Sequence, residues 1–199
     1  MTITVSTGQV SSGLVIGTGG TDTQMVVLNG GTAIATKDLV GGNIVVSAGG
    51  SAVSTFVSSG IQVVHGRTSA TAVFNGTEIV FSGGTTSGTM VNASGFQNID
   101  TGAEAALTTV FAGGIIIVAF GGSAFLATLS GGGMSLDGVA ELTTVSSGAE
   151  TVNAGAMDFD ASIKAGGAQF VFGTATDAIV FGSQNIEAGG TALDVMTPG

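Results

Sequence analysis

The sequence predicts an all-β fold, a single-stranded parallel β-helix (β-solenoid) of about eleven short coils, with 16–19 residues per coil. Three observations favour this fold. Apolar residues recur in two columns at intervals of 16–19 residues. Gly accounts for 36 of the 199 residues, whereas Pro occurs once. Short segments of Val, Ile, Thr and Phe alternate with small or polar residues, which is typical of strands.

The first column begins in the motif Val57-Ser-Ser-Gly60 and contains one apolar residue in each later coil. Its members are Val57, Val73, Val91, Val110, Leu129, Val145, Ile163, Ile179 and Val195. The second column lies between these positions: Val46, Val64, Val80, Ile99, Val118, Leu136, Val152, Phe170 and Ile186. We expect both columns to stack inside the coil, with Gly at positive φ in the corners.

Composition favours a packed structure over a disordered one. Charged residues make up 8% of the chain, against roughly 25% in typical proteins, while 44% are hydrophobic and the mean hydropathy is +0.61. Disordered chains combine low hydrophobicity with high charge. A collagen helix is excluded because it needs abundant Pro. We therefore expect one β-solenoid domain over residues 1–199, with irregular coils in 1–40 and regular repeats in 41–199, and a right-handed coil.

The repeat is clearest in residues 41–59, which read GGNIVVSAGGSAVSTFVSS. The pattern GG-x-x-x-V-x-x-GG-x-A-x-x-T-x-V-x-x resembles the strand-loop-strand repeats of AIDA-type autotransporter passengers, over essentially Gly13 to Gly190. The resemblance implies a surface-exposed β-helix that mediates cell aggregation, adhesion or biofilm formation, often with O-linked heptose on Ser or Thr. It also implies an extracellular or bacterial cell-surface location.

The N-terminal residues do not predict a cleavable signal peptide, because the first basic residue is Lys37 and a signal begins with a basic segment. The longest purely apolar run, Ile115 to Phe120, is too short for a membrane helix. We therefore expect no membrane insertion. The export route is left open: the chain is an excised piece, or it is exported without a cleavable leader.

Charge excludes a nucleic-acid partner. Three basic residues, Lys37, Arg67 and Lys164, stand against 13 acidic ones, and the net charge is −10. A groove for the phosphate backbone needs many more cations.

No catalytic, cofactor or metal site is predicted, and the chain is not expected to be an enzyme. Asp100-Thr-Gly resembles an aspartic-protease triplet, but that chemistry needs two adjacent carboxylates. His65 is the only histidine. Asp158 and Asp160 alternate around Phe159, so on a strand both carboxylates would share one face. Two alternatives remain beside the structural role: a module that binds cell-surface glycans, and a polysaccharide-degrading β-helix enzyme.

The predicted partner is a second copy of the chain, in an oligomer or filament. The exposed backbone groups of a terminal coil can pair with another strand, so we expect assembly through the residues Thr2, Ile3, Thr4, Val5, Leu193, Val195 and Met196. Five apolar residues directly follow column positions and are expected to face outwards on the rod: Phe74, Phe81, Phe111, Val171 and Val180. Of these, Phe74, Phe81 and Phe111 are predicted to contribute to an assembly surface.

Overall fold

The computed structural model describes residues 1–18 and 22–197 and confirms the parallel β-solenoid. Strands pair with their equivalents in the coils on either side, always in parallel, and the coil has three faces. Regular strand pairing between successive coils explains why segments of two to five residues suffice. Each short strand gains its hydrogen bonds from the neighbouring repeats.

The first face contains β1 (Thr2–Val5), β4 (Gln24–Val27), β7 (Asn43–Val46), β10 (Ile61–Val64), β13 (Thr77–Val80), β16 (Phe96–Ile99), β19 (Ile115–Val118), β26 (Gly167–Val171) and β29 (Ser183–Ile186). The second face is an 11-stranded sheet: β2 (Val10–Ser12), β5 (Thr32–Ile34), β8 (Ser51–Val53), β11 (Arg67–Ser69), β14 (Thr85–Ser87), β17 (Glu104–Ala106), β20 (Ser123–Phe125), β22 (Val139–Glu141), β24 (Met157–Phe159), β27 (Thr174–Thr176) and β30 (Thr191–Leu193).

The third face contains β3 (Val15–Ile16), β6 (Lys37–Asp38), β9 (Phe56–Ser58), β12 (Ala72–Phe74), β15 (Met90–Val91), β18 (Thr109–Phe111), β25 (Ser162–Ile163) and β28 (Ile179–Val180). Two long strands, β21 (Thr128–Leu136) and β23 (Thr144–Val152), run from the third face into the first. They join these two faces into one 19-stranded sheet.

The predicted coil length is confirmed for most of the rod and fails at its ends. Thr2 and Gln24, which pair across the first coil, are 22 positions apart. Gln169 and Gln184 pair at a separation of 15. The corners absorb the difference, since the strands of each face keep their register.

Seven residues of the predicted second column, from Val46 to Val152, are stacked and fully buried. The assignment of Phe170 to this column was wrong. Val171 pairs with Val152 and is buried, and Phe170 faces outwards. Ile186 lies in the column but is 46% exposed at the last coil. A shift of one residue reverses the side of every side chain on a strand, so a corner longer by one residue is enough to cause the error.

The first column is likewise confirmed from Val57 to Ile163. Its next member is Val180, which pairs with Ile163, and not Ile179. Val195 also lies outside the column: Met196 bridges to Ile179, so Val195 is equivalent to Ala178, two positions before the column. Val171 and Val180 were therefore wrongly placed on the outer surface.

At the corner between the second and third faces, the expectation that Gly takes the positive-φ position is wrong in most coils. One residue in each coil takes positive φ there, and only Gly13 and Gly88 are glycines. The others are Ala35, Ser54, Ala70, Leu107, Leu126, Leu142, Asp160, Asp177 and Asp194, with φ of 50–58°. A left-handed conformation costs an ordinary residue about 1 kcal/mol, and the paired strands on both sides hold it in place.

Candidate interaction surfaces

The outward side of the first face has no charged residue. Two rows of side chains point outwards along it, one from the first and one from the third position of each four-residue strand. The first row is Thr2, Gln24, Asn43, Ile61, Thr77, Phe96, Ile115, Gly133, Ala149, Ala168 and Ser183. The second row is Thr4, Val26, Val45, Val63, Ile79, Asn98, Ile117, Ser135, Thr151, Phe170 and Asn185. The net charge of −10 therefore resides on other parts of the chain.

The middle of this face is apolar. We use the term apolar stripe for Val26, Val45, Val63, Ile79 and Ile117 of the second row with Ile61, Phe96 and Ile115 of the first. Ile61 and Ile115 are 43% and 46% exposed. The stripe arises because strands such as Ile115–Val118 are apolar at all four positions, so that alternation buries two side chains and leaves two outside. Large exposed apolar patches often mark interaction sites.

Acidic side chains lie at the corners and on the second face. Asp160, Asp177 and Asp194 follow one another along the corner between the second and third faces. Glu104 and Glu141 lie on the second face. These acids lie away from the apolar stripe, whereas Asp100 lies at its edge, hydrogen-bonded to Asn98 of the second row.

The core contains a polar network centred on Glu78, which is completely buried. Its carboxylate accepts hydrogen bonds from the Nε2 of Gln97 (2.7 Å) and from the hydroxyls of Thr68 and Thr89 (3.0 Å each). Burial raises the pKa of Glu78, and these hydrogen bonds oppose the rise. The donors come from all three sides of the coil, so the network links the faces across the core.

We expect Glu78→Leu to destabilise the protein and Glu78→Gln to leave it folded with near-normal stability. Leu would leave the Gln97 amide buried without its acceptor, at about 1–3 kcal/mol. The Thr68 and Thr89 hydroxyls would lose the Glu78 carboxylate and keep only their hydrogen bonds with Thr86. Gln can still accept from Gln97, and the Thr hydroxyls can rotate to meet its amide. Thermal unfolding of both variants measures the difference. Equal melting temperatures for the two variants would contradict the role of the network.

A second buried group joins two acids through one amide. The Nε2 of Gln169 donates to Glu150 Oε2 (3.0 Å) and Asp158 Oδ2 (2.6 Å). The other oxygens, Glu150 Oε1 and Asp158 Oδ1, have no hydrogen-bond partner among the residues described. Burial raises the pKa of Glu150 to about 7. The pKa of Asp158 is raised well above its usual value, mainly by burial and in addition by repulsion from Glu150.

Asp38 is a fourth buried acid, and it occupies a position of the first column between Ile16 and Val57. Burial raises its pKa to about 7. Folding therefore favours the protonated form of Glu150, Asp158 and Asp38.

The predicted assembly residues at the two ends lie on different faces. Thr2, Ile3, Thr4 and Val5 form the outermost strand of the first face, Leu193 lies on the second and Met196 pairs on the third. Val195 is half-buried next to Met196. A second rod stacked in register would place Thr2–Val5 on Ser183–Ile186 of its neighbour, not on Val195.

The three predicted outward phenylalanines do not share one surface. Phe74 is half-buried against Phe56, with ring centroids 5.2 Å apart. Phe111 is 38% exposed on the same third face. Phe81 lies at a corner, half-buried and stacked on His65 at 5.0 Å. The structure therefore does not bring them together.

The acids considered as catalytic or metal-binding have separate environments. Asp100 Oδ1 accepts from Asn98 Nδ2 at 2.6 Å. The expectation that Asp158 and Asp160 share a face was wrong: β24 ends at Phe159, so Asp158 is buried while Asp160 is exposed at positive φ. Within residues 1–18 and 22–197, no three His, Cys, Asp or Glu side chains are grouped as a metal site would require.

The comparison with known structures decides the family. The crystal structure of a TibC-catalysed, hyper-glycosylated fragment of TibA matches this chain with a TM-score of 0.92 and 33% sequence identity. The match covers 98% of this chain and 74% of the TibA fragment. TibA is an AIDA-type autotransporter adhesin passenger. The chain belongs to the AIDA-type passenger family. No protein-family model matches the sequence, and no curated protein matches it.

Membership in the AIDA-type family gives the chain an adhesin-type passenger fold and a bacterial cell-surface or extracellular location. The resemblance drawn from the Gly-Gly and Val positions is therefore confirmed. In the part of the chain that the structure describes, no helix has the length and apolar character needed to cross a membrane.

Sequence reasoning missed the buried acids of this AIDA-type chain, although a signal for them was present. Five buried polar residues each lie two positions before a residue of the second column: Gln62, Glu78, Gln97, Glu150 and Gln169. Residues i and i+2 of a strand share a face. These polar residues were therefore predictable as internal once the column was known.

Proposed function

We propose that this chain is a structural adhesin that acts by homotypic self-association of its first face, and that it is not an enzyme. The observation that carries the proposal is the apolar stripe on a face with no charge, in a chain of net charge −10. The outward rows of this face contain no acidic side chain, and Asp100, which accepts a hydrogen bond from Asn98, lies at the edge of the contact. Contact through the corners would instead oppose like charges.

The size of the stripe fits a weak contact. The stripe extends over six adjacent strands at about 4.8 Å spacing and is two outward rows wide, so its surface area is about 400 Å² on each copy. A stable interface buries about 800 Å² for each partner. Weak contacts suit a surface displayed in many copies, because multivalency multiplies their strength.

Membership in the adhesin family supports a binding role over catalysis. The acids closest to the sequence patterns of enzymes, Asp100 and Asp158, do not lie together in an open site. Outward hydroxyls on the third face, at Thr109, Thr128 and Thr144, are paired in register. We include O-glycosylation of such hydroxyls in the proposal, since the similar TibA fragment is glycosylated.

The test compares charge insertions at equivalent positions of one row. The double variant Val63→Glu/Ile79→Glu places two charges in the stripe, and Ser135→Glu/Thr151→Glu places two charges in the same row outside it. We expect the first variant to reduce dimer formation in analytical ultracentrifugation, and clumping of beads coated with the protein, at least about tenfold. The second variant should behave as the wild type.

Equal loss in both variants would indicate a general charge effect and contradict the stripe as the interface. A monomeric wild type that leaves coated beads dispersed would overturn self-association itself. End-to-end stacking through Thr2–Val5 and Ser183–Ile186 predicts a different result: filaments in electron microscopy that persist in Val63→Glu/Ile79→Glu.

A further inference from the structure

The second face carries a groove of about 600 Å³. It lies over β8, β11, β14, β17 and β20, and hydroxyls line much of it: Ser51, Ser69, Thr85, Ser87 and Ser123. The groove exists because small residues, Ser69, Ser87 and Ala106, follow one another in one outward row, and Phe125 ends that row at the next coil. Its volume is within the range of small-molecule sites.

Arg67 stands at one end of the groove and is the only arginine of the chain. Its guanidinium makes no ion pair within 4.0 Å and no hydrogen bond to the residues that the structure describes. Thr85 is the register partner of Arg67, and Glu104 is the partner of Thr85. Arg67 and Glu104 are therefore about 10 Å apart along the rod, so the groove has a cationic end and an anionic position.

A second depression extends the cationic end towards His65. It has a volume of about 250 Å³ and shares Ser51, Arg67 and Thr85 with the groove. It forms because the corner after β10 has only two residues, His65 and Gly66, whereas the next coil has four, from Phe81 to Gly84. The only histidine and the only arginine of an acidic chain thus lie beside the same opening.

Phe125 supplies the apolar element at the other end. Its side chain is 41% exposed. An aromatic face next to hydroxyls and charged groups is the usual composition of a site that takes a ligand with both polar edges and an apolar face. A pyranose ring has this character, since its hydroxyls lie around the edge and its C–H bonds on the faces.

We propose that this groove binds an acidic oligosaccharide of two or three units, through a carboxylate on a pyranose ring. Arg67 binds the carboxylate, because a guanidinium pairs two N–H groups with a carboxylate's two oxygens. Thr85, Ser87 and Glu104 take the sugar hydroxyls, and Phe125 packs on a ring further along. Glu104 and the net charge disfavour ligands with several charges, such as phosphates. The site lies on a different face from the apolar stripe and does not depend on self-association.

Isothermal titration of the purified chain with four probes tests the site. Aldotriouronic acid, which is xylobiose carrying one glucuronate, and 3′-sialyllactose each carry a single pyranose carboxylate, of two different kinds, and xylotriose and lactose are their neutral counterparts. We expect one of the acidic probes to bind at least about tenfold more tightly than its neutral counterpart. The preferred acidic probe distinguishes a uronate from a sialic acid.

Three variants assign the contacts. Arg67→Gln is expected to weaken binding of the acidic probe about tenfold or more and to remove the preference for it over the neutral probe. Arg67→Lys should retain part of the affinity for the acidic probe. Phe125→Ala should weaken the binding of acidic and neutral probes alike. Lys164→Gln removes one charge at the corner after β25 and is the matched control, with no effect expected. Circular dichroism establishes that each variant is folded.

Equal binding of acidic and neutral probes, or unchanged binding in Arg67→Gln, would overturn the role of Arg67. Absence of binding by all four probes at millimolar concentration would overturn the site.

Discussion

Replacing Gly138 by Ala is expected to lower the melting temperature by roughly 10 °C. Gly138 ends the two-residue corner between β21 and β22 and is buried. A Cβ at this position would overlap the backbone carbonyl oxygens of Gly122 and Ala119 in the previous coil. Neither oxygen can move without separating the coils, so we expect a loss of about 3 kcal/mol. Differential scanning calorimetry measures the change.

Other corners of the chain support this prediction. The equivalent two-residue corners end in Gly66 and Gly173, and a Cβ at either would also meet two carbonyl oxygens of the previous coil. Two four-residue corners have Ala103 and Ala156 at their last position, and both residues are buried. Other four-residue corners end in Gly84 and Gly190, where a Cβ would also overlap a carbonyl oxygen of the previous coil. The close approach of carbonyl oxygens from the previous coil, not the presence of Gly in general, therefore sets the cost.

Gly133→Ala is the matched control for Gly138→Ala. Gly133 lies five residues earlier on β21, and a Cβ there meets only the Ala149 carbonyl, at an ordinary 3.9 Å. We expect a change within about 0.5 kcal/mol. If the two variants melt within 2 °C of each other, roughly the resolution of this comparison, close packing of the short corner is not what Gly138 provides.

The second large effect concerns the buried acids, and we expect the protein to become more stable as the pH falls from 8 to 5. The folded-state pKa values of Glu150 and Asp38 are about 7, and that of Asp158 is raised well above its usual value. An unfolded carboxyl group titrates near 4. Between these values the folded state holds protons that the unfolded state has released, so the free energy of unfolding decreases as pH rises.

Asp158→Asn removes the acid whose pKa is raised by both burial and repulsion. The Asn Oδ1 can still accept from Gln169, and its amide can donate to Glu150. We expect the melting temperature to rise by roughly 5 °C or more at pH 7.5 and to change little at pH 4, where the wild-type acids are protonated. The pH dependence between 5 and 8 should become shallower but remain, since Asp38 is unchanged.

Glu141→Gln serves as the control for Asp158→Asn because it removes one negative charge from the exposed outer side of the same face. It separates the effect of a buried acid from that of net charge, which also falls in magnitude towards acidic pH. We expect a change of no more than about 0.5 kcal/mol at either pH. A Glu141→Gln variant stabilised as much as Asp158→Asn, or a wild type equally stable at pH 5 and 8, would refute this prediction.

The repeat in the sequence was sufficient for the architecture. In a solenoid each strand pairs with its own equivalent in the next coil, so that periodic Val and Gly residues carry the information for the long-range contacts as well as for the local structure. For this reason the columns from Val46 to Val152 and from Val57 to Ile163 could be predicted from spacing alone. The family resemblance rested on the same residues.

Spacing failed where a corner changed length. Phe170 and Ile179 were each assigned to a column in place of the next residue, because the sequence does not state how many residues a corner uses. The backbone pairing of Val171 with Val152 and of Val180 with Ile163 fixes that number. The left-handed corner residues Leu107, Leu126 and Leu142 escaped notice for a related reason: the neighbouring strands, not their own preference, impose their conformation.

The sequence by itself determined the coil and its two apolar columns, since these follow from periodicity and composition. Only the tertiary structure decided how separate faces meet. Thr68, Glu78 and Thr89 converge inside one coil, and Arg67, Ser87 and Phe125 line one groove across four coils. Such groupings depend on side chains from different coils and faces, and one-dimensional spacing does not record their distances.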